Sequence, residues 1–316
     1  MQVYSVMATK YPSNKTTKNS FLDSLSDFIV VNRLSETVGY NVLYFIIGVG
    51  LAASSNFGAI LSEHFDLLLI TFFAVMFSKM QASVADAIHD YDIDRENPEK
   101  SFIASAVESI GERLLFTILI VELIAGMGLW GWLALETDML FFLWVGVASN
   151  LLGFVYSFPP RIKERGIVNH LVTTGVDVVG VVLPAALAAG AVITPEVGIA
   201  LLIVYLYSLG YHVMHQAADT VYDRQSGVST FTQSIGIKES VWFTAILTGL
   251  ATVLSLSLSY TLSAVGLFVA TGAYAVLGDS IKNKPPRRQC DHIAQWFKIG
   301  PWAIGINCLF ALSLYL

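Results

Sequence analysis

The strongest constraint on this chain is a series of apolar stretches, each about 20 residues long and separated by polar or proline-containing breaks. A helix of that length and composition crosses the ~30 Å hydrocarbon core of a bilayer. Because backbone polar groups find no water there, a spanning segment of this kind has to be helical. The pattern predicts an all-α, polytopic membrane protein with nine transmembrane helices. The predicted helices are 37–57, 67–87, 114–134, 138–157, 168–193, 197–217, 241–259, 262–279 and 297–316.

The composition agrees with a membrane protein and excludes several other classes. Of the 316 residues, 55% are hydrophobic and only 13% are charged, against about 25% charged in a soluble domain. The apolar content excludes a disordered chain, and two cysteines are too few for a disulfide scaffold. A net charge of -6 argues against a nucleic-acid-binding protein, because such proteins carry basic patches.

Lysine and arginine concentrate in and next to alternate connections between the predicted helices. All 18 of them fall on one predicted side, in the N-terminal arm and around every second loop. The intervening loops without Lys or Arg are 58–66, 135–137, 194–196 and 260–261. Basic residues concentrate on the cytoplasmic side of membrane proteins. The distribution therefore predicts a cytoplasmic N-terminus and an external C-terminus.

The segment before the first predicted helix differs from the rest of the chain. Residues 1–19 are polar and lack an apolar core, so no cleavable secretory signal is expected there. Phe21, Leu25 and Phe28 then recur at helical spacing, as in a helix that lies at the membrane interface. We predict a cytoplasmic arm with an interfacial helix over 1–36 and a nine-helix membrane domain over 37–316.

A first acidic run, Asp86, Asp90 and Asp94, follows the second predicted helix. A spacing of four residues places these carboxylates on one helix face, provided that the helix continues. Asp86 and Asp90 lie at the apolar boundary, where an isolated carboxylate is costly and commonly marks a functional cavity. The alternative is a solvated acidic loop or helix cap.

A second acidic run, Asp219 and Asp223, follows the sixth predicted helix with the same spacing. Both runs fall at the cytoplasmic ends of helices that cross the bilayer in the same direction, so the fold can bring them together over one cavity. Mg²⁺ prefers oxygen ligands and is typically held by one or two carboxylates together with substrate phosphate oxygens. The pair of runs therefore favours a Mg²⁺ site with a diphosphate substrate.

The chain resembles the UbiA superfamily of intramembrane prenyltransferases over nearly its whole length. The residues that match the family's two acidic motifs are Asp90, Asp94, Arg95, Asp219, Asp223 and Gly227. The segment 156–163 resembles the tyrosine-to-lysine segment after the family's fourth helix. The resemblance implies a UbiA-like helical bundle around a central cavity. It also implies Mg²⁺-dependent transfer of a prenyl group from an allylic prenyl diphosphate to a lipophilic acceptor.

Some positions depart from the family pattern. Asp86 stands in place of the leading Asn, Ala87 in place of the adjoining Asp, and Pro160 in place of a frequent Lys. Arg161 or Lys163 would take over the role of the missing lysine. The segments that are similar to the lycopene-elongase branch, which attaches C5 units to a carotenoid, are 97–100, 163–165 and 223–224.

Two kinds of binding residue are predicted around the diphosphate. The carboxylates expected to hold Mg²⁺ are Asp86, Asp90, Asp94, Asp219 and Asp223. The cations expected to stabilise charge on the leaving diphosphate are Arg95, Arg161, Lys163, Arg224 and Lys79. Positive-inside bias also explains Arg161 and Lys163. Lys79 either pairs with Asp86 or extends its amine towards the headgroups.

A further set of aromatic and polar residues is expected to line the cavity for the allylic cation and the acceptor. They are Tyr156, Tyr211, His212, His215, Tyr222, Asp177 and Asn150. Aromatic rings attract cations, although interfacial anchoring also explains tyrosines at helix ends. The two histidines either accept a released proton or are core histidines with satisfied hydrogen bonds, and the second alternative is the commoner one for a single histidine. Asp177 and Asn150 either line the cavity or form hydrogen bonds between helices.

The predicted partners are a prenyl diphosphate, membrane lipid and an aromatic, quinone-precursor or isoprenoid acceptor, with no nucleic acid. Two other functions stay open at this point. A UbiA-type terpene cyclase would ionise the same donor and quench the cation internally. A carrier or ion pathway would also contain intramembrane charges, but its acidic residues would be expected near the middle of the bilayer.

Overall fold

The computed structural model describes residues 21–52, 57–96, 100–225, 227–297 and 299–316, except for the side chains of Tyr222 and residues 299–301. All regular structure in these ranges is helical, which confirms the predicted all-α class. The first helices are α1 (Phe21–Val31), α2 (Leu34–Ala52), α3 (Phe57–His89), α4 (Tyr91–Glu96), α5 (Ser101–Ile110), α6 (Glu112–Glu136) and α7 (Leu140–Ser157). The later ones are α8 (Ile167–Asp177), α9 (Leu183–Ala188), α10 (Pro195–Gln225), α11 (Phe231–Ile235), α12 (Ile237–Ser257), α13 (Thr261–Ile281), α14 (Pro286–Phe297) and α15 (Ile299–Tyr315).

Eight helical segments in the described part of the chain are long and apolar enough to cross a membrane. They correspond to the first eight predicted spans. The ninth predicted span corresponds to a bent pair of helices, Pro286–Phe297 and Trp302–Tyr315, whose axes differ by 42°. The chain is therefore a polytopic membrane protein, with eight spans in the described ranges, or nine when the bent pair is counted as one.

Helix α3 is longer than the predicted span and corrects one loop. It runs for 33 residues, about 50 Å at 1.5 Å per residue, which exceeds the ~30 Å hydrocarbon core. The predicted loop 58–66 is helical. Once a helix has formed, each further residue is added at little cost, so the polar residues Ser62, Glu63 and Asp66 do not end it. The C-terminal end of α3 delivers Asp86.

The fifth predicted span is interrupted at its centre. Helix α8 ends at Asp177, a wider π-helical turn covers Val178–Val182, and α9 follows. Pro184 lies at the start of α9. It lacks an N–H, and its ring crowds the carbonyl four residues earlier, which accounts for the widened turn. Turns of this kind are frequent at functional sites, and Asp177 lies immediately before this one.

The chain folds into two compact units, each built from two separate stretches of sequence. Unit 1 comprises Met1–Gly39 and Phe73–Arg161, and unit 2 comprises Tyr40–Phe72 and Ile162–Leu316. The first acidic run belongs to unit 1 and the second to unit 2.

The predicted amphipathic helix before the first span is present as α1. Phe21 and Leu22 are 80% and 71% exposed, as expected for a helix whose apolar side chains meet a membrane surface. Its other side packs on α5, and Ser109 Oγ donates a hydrogen bond to Asp27 Oδ2 at 2.5 Å. The arm before Phe21 lies outside the described residues, and the domain boundary at residue 36 stays a prediction.

A hydrophobic core in unit 1 supports the first acidic run. Val31 of α1, Ile88 of α3, Tyr91 of α4 and Val107 of α5 are buried in one cluster. These four helix segments are thereby held around the end of α3. The core lies directly beside the carboxylates, and it fixes the backbone from which they project.

Candidate active site

The three carboxylates of the first acidic run share one helix face. The backbone N–H of Asp90 donates to the carbonyl of Asp86 at 2.8 Å, and that of Asp94 donates to the carbonyl of Asp90 at 2.8 Å. These four-residue steps continue α-helical geometry from α3 into α4. Residues four apart on such a path lie one above the other, so the run keeps helical spacing across the break between α3, which ends at His89, and α4, which begins at Tyr91.

Both oxygens of Asp86 have protein partners. Arg33 Nη2 donates to Asp86 Oδ2 at 2.8 Å, and Ser157 Oγ donates to Asp86 Oδ1 at 2.5 Å. Asp86 is only 8% exposed. Arg33 lies in the turn between α1 and α2 with a positive φ of 46°. The turn between α1 and α2 therefore supplies the cation that neutralises Asp86.

Arg33 is a member of this site that the sequence did not single out. Burial lowers its pKa, but the carboxylates of Asp86, Asp94 and Glu36 outweigh burial and raise the pKa above its ordinary value. Its guanidinium therefore remains charged beside the first acidic run. In the sequence Arg33 is 53 residues from Asp86. Its surroundings there are the same as those of any other basic residue that precedes a span. The only available signal was an arginine adjacent to an apolar boundary.

Asp94 is the most buried carboxylate of the run, at 2% exposed. Burial raises the pKa of its carboxyl to about 6, against the opposing effects of Lys100 and Arg33. Its Oδ2 is buried without a hydrogen-bond partner among the described residues. Asp90 Oδ1 lies 3.0 Å from His89 Nδ1. Asp94 therefore offers an oxygen that a bound cation would satisfy.

Arg95 and Tyr91 tie α4 to its surroundings. The guanidinium carbon of Arg95 lies 5.6 Å from the centroid of the Tyr91 ring, within the range of a cation–π contact. The Tyr91 hydroxyl donates a hydrogen bond to Glu108 of α5. Burial, and then Glu108, raise the pKa of Tyr91. The exposed Arg95 is thus held on the solvent side of a buried ring.

The other predicted residues of unit 1 differ in their surroundings. Tyr156 is half-buried close enough to Arg33 to interact with its charge. Asn150 Nδ2 donates to Ser78 Oγ at 3.1 Å and to the Gly146 carbonyl at 2.8 Å, which favours a role between helices. Arg161 and Lys79 are both half-buried. The basic side chain shown in contact with Asp86 is that of Arg33.

The second acidic run lies on α10. Asp219 and Asp223 are half-buried, one turn apart on a continuous helix of 31 residues. His215 Nε2 lies 3.9 Å from Asp219 Oδ2. The carbonyl of Asp223 accepts the backbone N–H of Val228 at 2.9 Å. Helix α10 therefore extends beyond the predicted end at residue 217 and contains both aspartates.

A separate carboxylate and imidazole pair lies deeper in unit 2. His212 Nε2 is 2.9 Å from Asp177 Oδ2, and Asp177 is 8% exposed. The centroids of Tyr211 and His212 are 5.5 Å apart, and Tyr40 lies 6.1 Å from Tyr211. Asp177, His212 and Tyr211, all predicted as cavity residues, are therefore brought together within unit 2.

Three further predicted residues of unit 2 lie away from that pair or have side chains outside the described set. Lys163 is half-buried in the short 3₁₀ turn Ile162–Glu164. Arg224 is exposed at the end of α10. The side chain of Tyr222 lies outside the described residues.

The donor chemistry of the two acidic runs fits Mg²⁺. Within the described ranges, no three His, Cys, Asp or Glu side chains are grouped closely enough to hold a metal on their own. Mg²⁺ commonly takes only one or two carboxylates, however, and completes its shell with water and substrate phosphate. Asp94, with its unsatisfied buried oxygen, fits such a site. Asp86 fits it less well because both of its oxygens are already engaged.

Comparisons with known proteins agree with this fold. Residues 41–298 match the model of the UbiA prenyltransferase family. A comparison with curated protein sequences gives no match. Among solved structures, one of digeranylgeranylglyceryl phosphate synthase is 19% identical with a TM-score of 0.65, covering 92% of this chain and 98% of the other.

Two other similar structures come from Archaeoglobus fulgidus. A UbiA homologue bound to GPP and Mg²⁺ is 16% identical with a TM-score of 0.65, covering 91% of this chain and 98% of that one. A UbiA homologue bound to DMAPP and Mg²⁺ is 15% identical with a TM-score of 0.61, covering 91% and 97%. At such identities these structures establish the shared fold. Because the family model spans most of the sequence, the chain belongs to the UbiA prenyltransferase family.

Proposed function

We propose that this protein transfers a prenyl group from an allylic prenyl diphosphate to a lipophilic acceptor within the membrane and releases diphosphate. The observation that carries the proposal is the first acidic run, in which three carboxylates share a helix face beside the charged Arg33. Family membership supports the reaction class. The structural relatives bound to GPP or DMAPP with Mg²⁺ support the donor and the metal.

Asp90, Asp94, Asp219 and Asp223 would hold Mg²⁺ in this proposal. The ion supplies a Lewis acid that neutralises charge on the departing diphosphate. The expectation that both acidic runs serve one diphosphate stays a prediction. Asp86 has a different role, because it accepts hydrogen bonds from Arg33 and Ser157 and thereby positions the guanidinium of Arg33.

The basic side chains would stabilise the leaving group further. Negative charge grows on diphosphate as the C–O bond lengthens, so a cation fixed nearby lowers the barrier more than it tightens ground-state binding. Arg33 is fixed by Asp86, and Arg95 by the ring of Tyr91. Arg161, Lys163 and Lys79 are proposed to contribute as well, whereas Arg224 lines a different cavity, described below.

The aromatic residues would receive the allylic cation that remains after the C–O bond breaks. Tyr211 stands beside Tyr40 and His212 in unit 2, and Tyr156 is half-buried in unit 1. Aromatic faces stabilise cations by up to about 2 kcal/mol when water is excluded. The proposed role of Tyr222 rests on its position after Asp219 alone.

The Asp177–His212 pair would accept the proton released after carbon–carbon bond formation. Attack of the acceptor's π electrons on the allylic cation gives a new carbocation. Loss of a proton from the carbon next to the cationic centre then restores the double bond or the aromatic ring. If Asp177 accepts the Nε2–H of His212 at 2.9 Å, Nδ1 is the nitrogen that takes the proton. His215, which is farther from its carboxylate and more exposed, is proposed as a secondary acceptor.

The proposal places both acidic runs and the N-terminus on the cytoplasmic side, from the distribution of Lys and Arg. The acceptor is proposed to be an aromatic, quinone-precursor or isoprenoid molecule, and the similarity to the lycopene-elongase branch favours a carotenoid. An intramembrane terpene cyclase is the nearest alternative, because it would use the same donor and carboxylates.

The test uses the full-length protein in lipid nanodiscs with C5, C10, C15 and C20 prenyl diphosphates, a lipid extract as the acceptor source, and Mg²⁺ or EDTA. Diphosphate release and product masses are measured together. Transfer predicts release that requires Mg²⁺ and acceptor, with a product heavier than the acceptor by the prenyl group. The mass increment identifies the donor, and the remainder identifies the acceptor.

The test variant is Asp90→Asn, and its matched control is Asp92→Asn. Asp92 is an exposed residue of α4, and its position two residues after Asp90 places it off the acidic face. Only Asp90→Asn is expected to abolish release. Formation of a cyclised hydrocarbon in the absence of acceptor would show that the protein is a cyclase and not a transferase. Full diphosphate release by Asp90→Asn would overturn the enzyme assignment.

A further inference from the structure

Unit 2 contains a cavity of about 670 Å³ at the end of α10 where the second acidic run lies. Its walls come from the C-terminal end of α10, from α11, from the start of α12, and from the connection between α13 and α14. The volume is that of a typical small-molecule site. Neither Asp219 nor Asp223 lines it.

The cavity faces a different side of α10 from the second acidic run. Thr220 and Arg224 line it, and each follows one of the two aspartates by one residue. One residue along an α-helix corresponds to a rotation of about 100°. This cavity is therefore separate from the carboxylate face. Arg224, which the sequence assigned to the diphosphate of that face, belongs to the cavity instead.

The charge of the lining is strongly positive. Arg224, Lys238, Lys282 and Arg287 all line the cavity, whereas Glu239 is its one carboxylate. Lys238 Nζ lies 3.4 Å from Glu239 Oε1, and Lys282 Nζ lies 2.6 Å from Asp279 Oδ1, which is outside the lining. Within the described part of the chain, the two arginines form no ion pair. The lining therefore has more positive charge than the protein itself neutralises.

Two helices also begin at the cavity. Residues at the start of α12 and of α14 line it, and the N-terminus of a helix presents unpaired N–H groups and a partial positive charge. Glu239 lies over Gly236 at the start of α12, so it takes up part of that charge. The N-terminus of α14, whose first turn contains Arg287, adds to the positive charge of the lining.

Hydrogen bonds fix the walls of the cavity. Gln289 Nε2 donates to the carbonyls of Ile281 and Lys284 at 3.1 and 2.8 Å, and so closes the end of α13. The hydroxyls of Thr220 and Thr232 are 2.7 Å apart and join α10 to α11. Because these contacts are internal to the protein, the cavity is formed before any ligand arrives.

The cavity lies at the level where the apolar spans end. The candidate span of α10 ends at Val221, that of α12 begins at Ile237, and that of α13 ends at Ile281. Lipid phosphates are found at this boundary. Basic pockets between transmembrane helices at this depth bind anionic headgroups.

We propose that this cavity binds a phosphate ester anion, with the headgroup of an anionic phospholipid as its source. The ligand chemistry follows from the four cations and the helix N-terminus that line the cavity, and the lipid source follows from the depth. The site does not depend on the proposed transfer reaction, because it shares no residue with the carboxylates assigned to Mg²⁺.

The test is native mass spectrometry of the full-length protein in detergent with phosphatidylglycerol, phosphatidylcholine or soluble glycerol 3-phosphate. Wild type is compared with Lys238→Gln/Arg287→Gln. The matched control is Lys284→Gln/Arg288→Gln, which removes the same charge from nearby residues that do not line the cavity. Each basic residue contributes about 1 kcal/mol to headgroup binding, so the cavity variant is expected to bind phosphatidylglycerol about tenfold or more weakly.

Two further results decide the outcome. Lys238→Arg/Arg287→Lys keeps both charges and is expected to bind phosphatidylglycerol as wild type does, which separates charge from folding. Binding of glycerol 3-phosphate with no preference for phosphatidylglycerol would overturn the lipid source. Equal losses in the cavity and control variants, or equal binding of phosphatidylcholine, would overturn the site.

Discussion

The two acidic runs have the same spacing in sequence and different surroundings in the structure. In unit 1, the side chain of Asp86 is 11% exposed and contacts both Arg33 and Ser157. In unit 2, the side chain of Asp219 is 42% exposed and its nearest basic group, His215, is 3.9 Å away. Spacing therefore does not determine how a carboxylate is neutralised. The first run has a cation built into the protein at Asp86, whereas Asp219 of the second run is more open to solvent.

The largest expected effect is on the carboxylates assigned to Mg²⁺ in both runs. Asp94→Asn and Asp223→Asn are each expected to lower kcat for diphosphate release by about 100-fold or more, because each removes preorganised charge stabilisation at the leaving group. Release is measured in nanodiscs at saturating donor. Asp92→Asn is the control, and an equal loss in that variant would show a general effect of the helix rather than of the acidic face.

The Asp177–His212 pair sharpens the comparison, because it places a carboxylate and an imidazole in contact beside Tyr211 in unit 2. His212→Gln is expected to lower the rate of product formation about 100-fold, as for loss of a general base. Asp177→Asn is expected to shift the pH dependence of product formation, since it changes the partner of His212 Nε2. His215→Gln serves as the comparison. If all three variants ionise the donor and form product at the wild-type rate, the pair has no role in proton removal.

The ion pairs of the two units are expected to contribute different amounts to the free energy of unfolding. Loss of one partner of a buried pair costs about 3–5 kcal/mol, and the Arg33 side chain is 27% exposed, so Arg33→Gln is expected to cost about 2 kcal/mol. His215→Gln breaks an exposed pair and is expected to cost less than about 0.5 kcal/mol. The midpoint of thermal unfolding in detergent measures both.

A double variant checks the cause of the Arg33 effect. Arg33→Gln/Asp86→Asn removes the charge that the single variant leaves buried without its partner, so part of the stability should return. Equal destabilisation by the single and double variants would show that the arginine acts through packing rather than through Asp86.

The smallest effect concerns Asp94 and pH. Burial raises the pKa of its carboxyl from 3.8 to about 6, so the folded protein binds a proton that the unfolded chain releases at lower pH. The free energy of unfolding should therefore fall as the pH rises from about 4 to about 6. In EDTA, Asp94→Asn should be more stable than wild type by a few degrees above pH 6, with the difference vanishing near pH 4. A constant difference across this range would contradict the assignment.

Much of the fold could be predicted because its signals are local. Apolar stretches of spanning length identified the membrane helices, and four-residue spacing placed Asp86, Asp90 and Asp94 on one face. The error at 58–66 has a local cause as well. Ser62 and Glu63 resemble a loop in composition, but a helix already formed in apolar surroundings continues through them.

The partners of the charged groups could not be predicted in the same way. Lys79 was considered for Asp86 because it lies two turns earlier on the same helix. The contact of Asp86 with Arg33, from a turn between two other helices, had no such local signal. Asp177 and His212, 35 residues apart, were separate candidates until helix packing joined them. Arg224 was assigned by proximity to Asp223, yet the rotation of one residue places it in another cavity.

The sequence alone determined that the chain is helical, crosses the membrane repeatedly and aligns acidic groups at two helix ends. Those properties follow from hydrophobicity and from the period of the α-helix, which act within a few turns. The tertiary structure decided which cation neutralises which carboxylate, where an imidazole meets an aspartate, and that a basic cavity lies beside the second run. Such pairings depend on helix register and rotation, which are set by packing between segments that are distant in sequence.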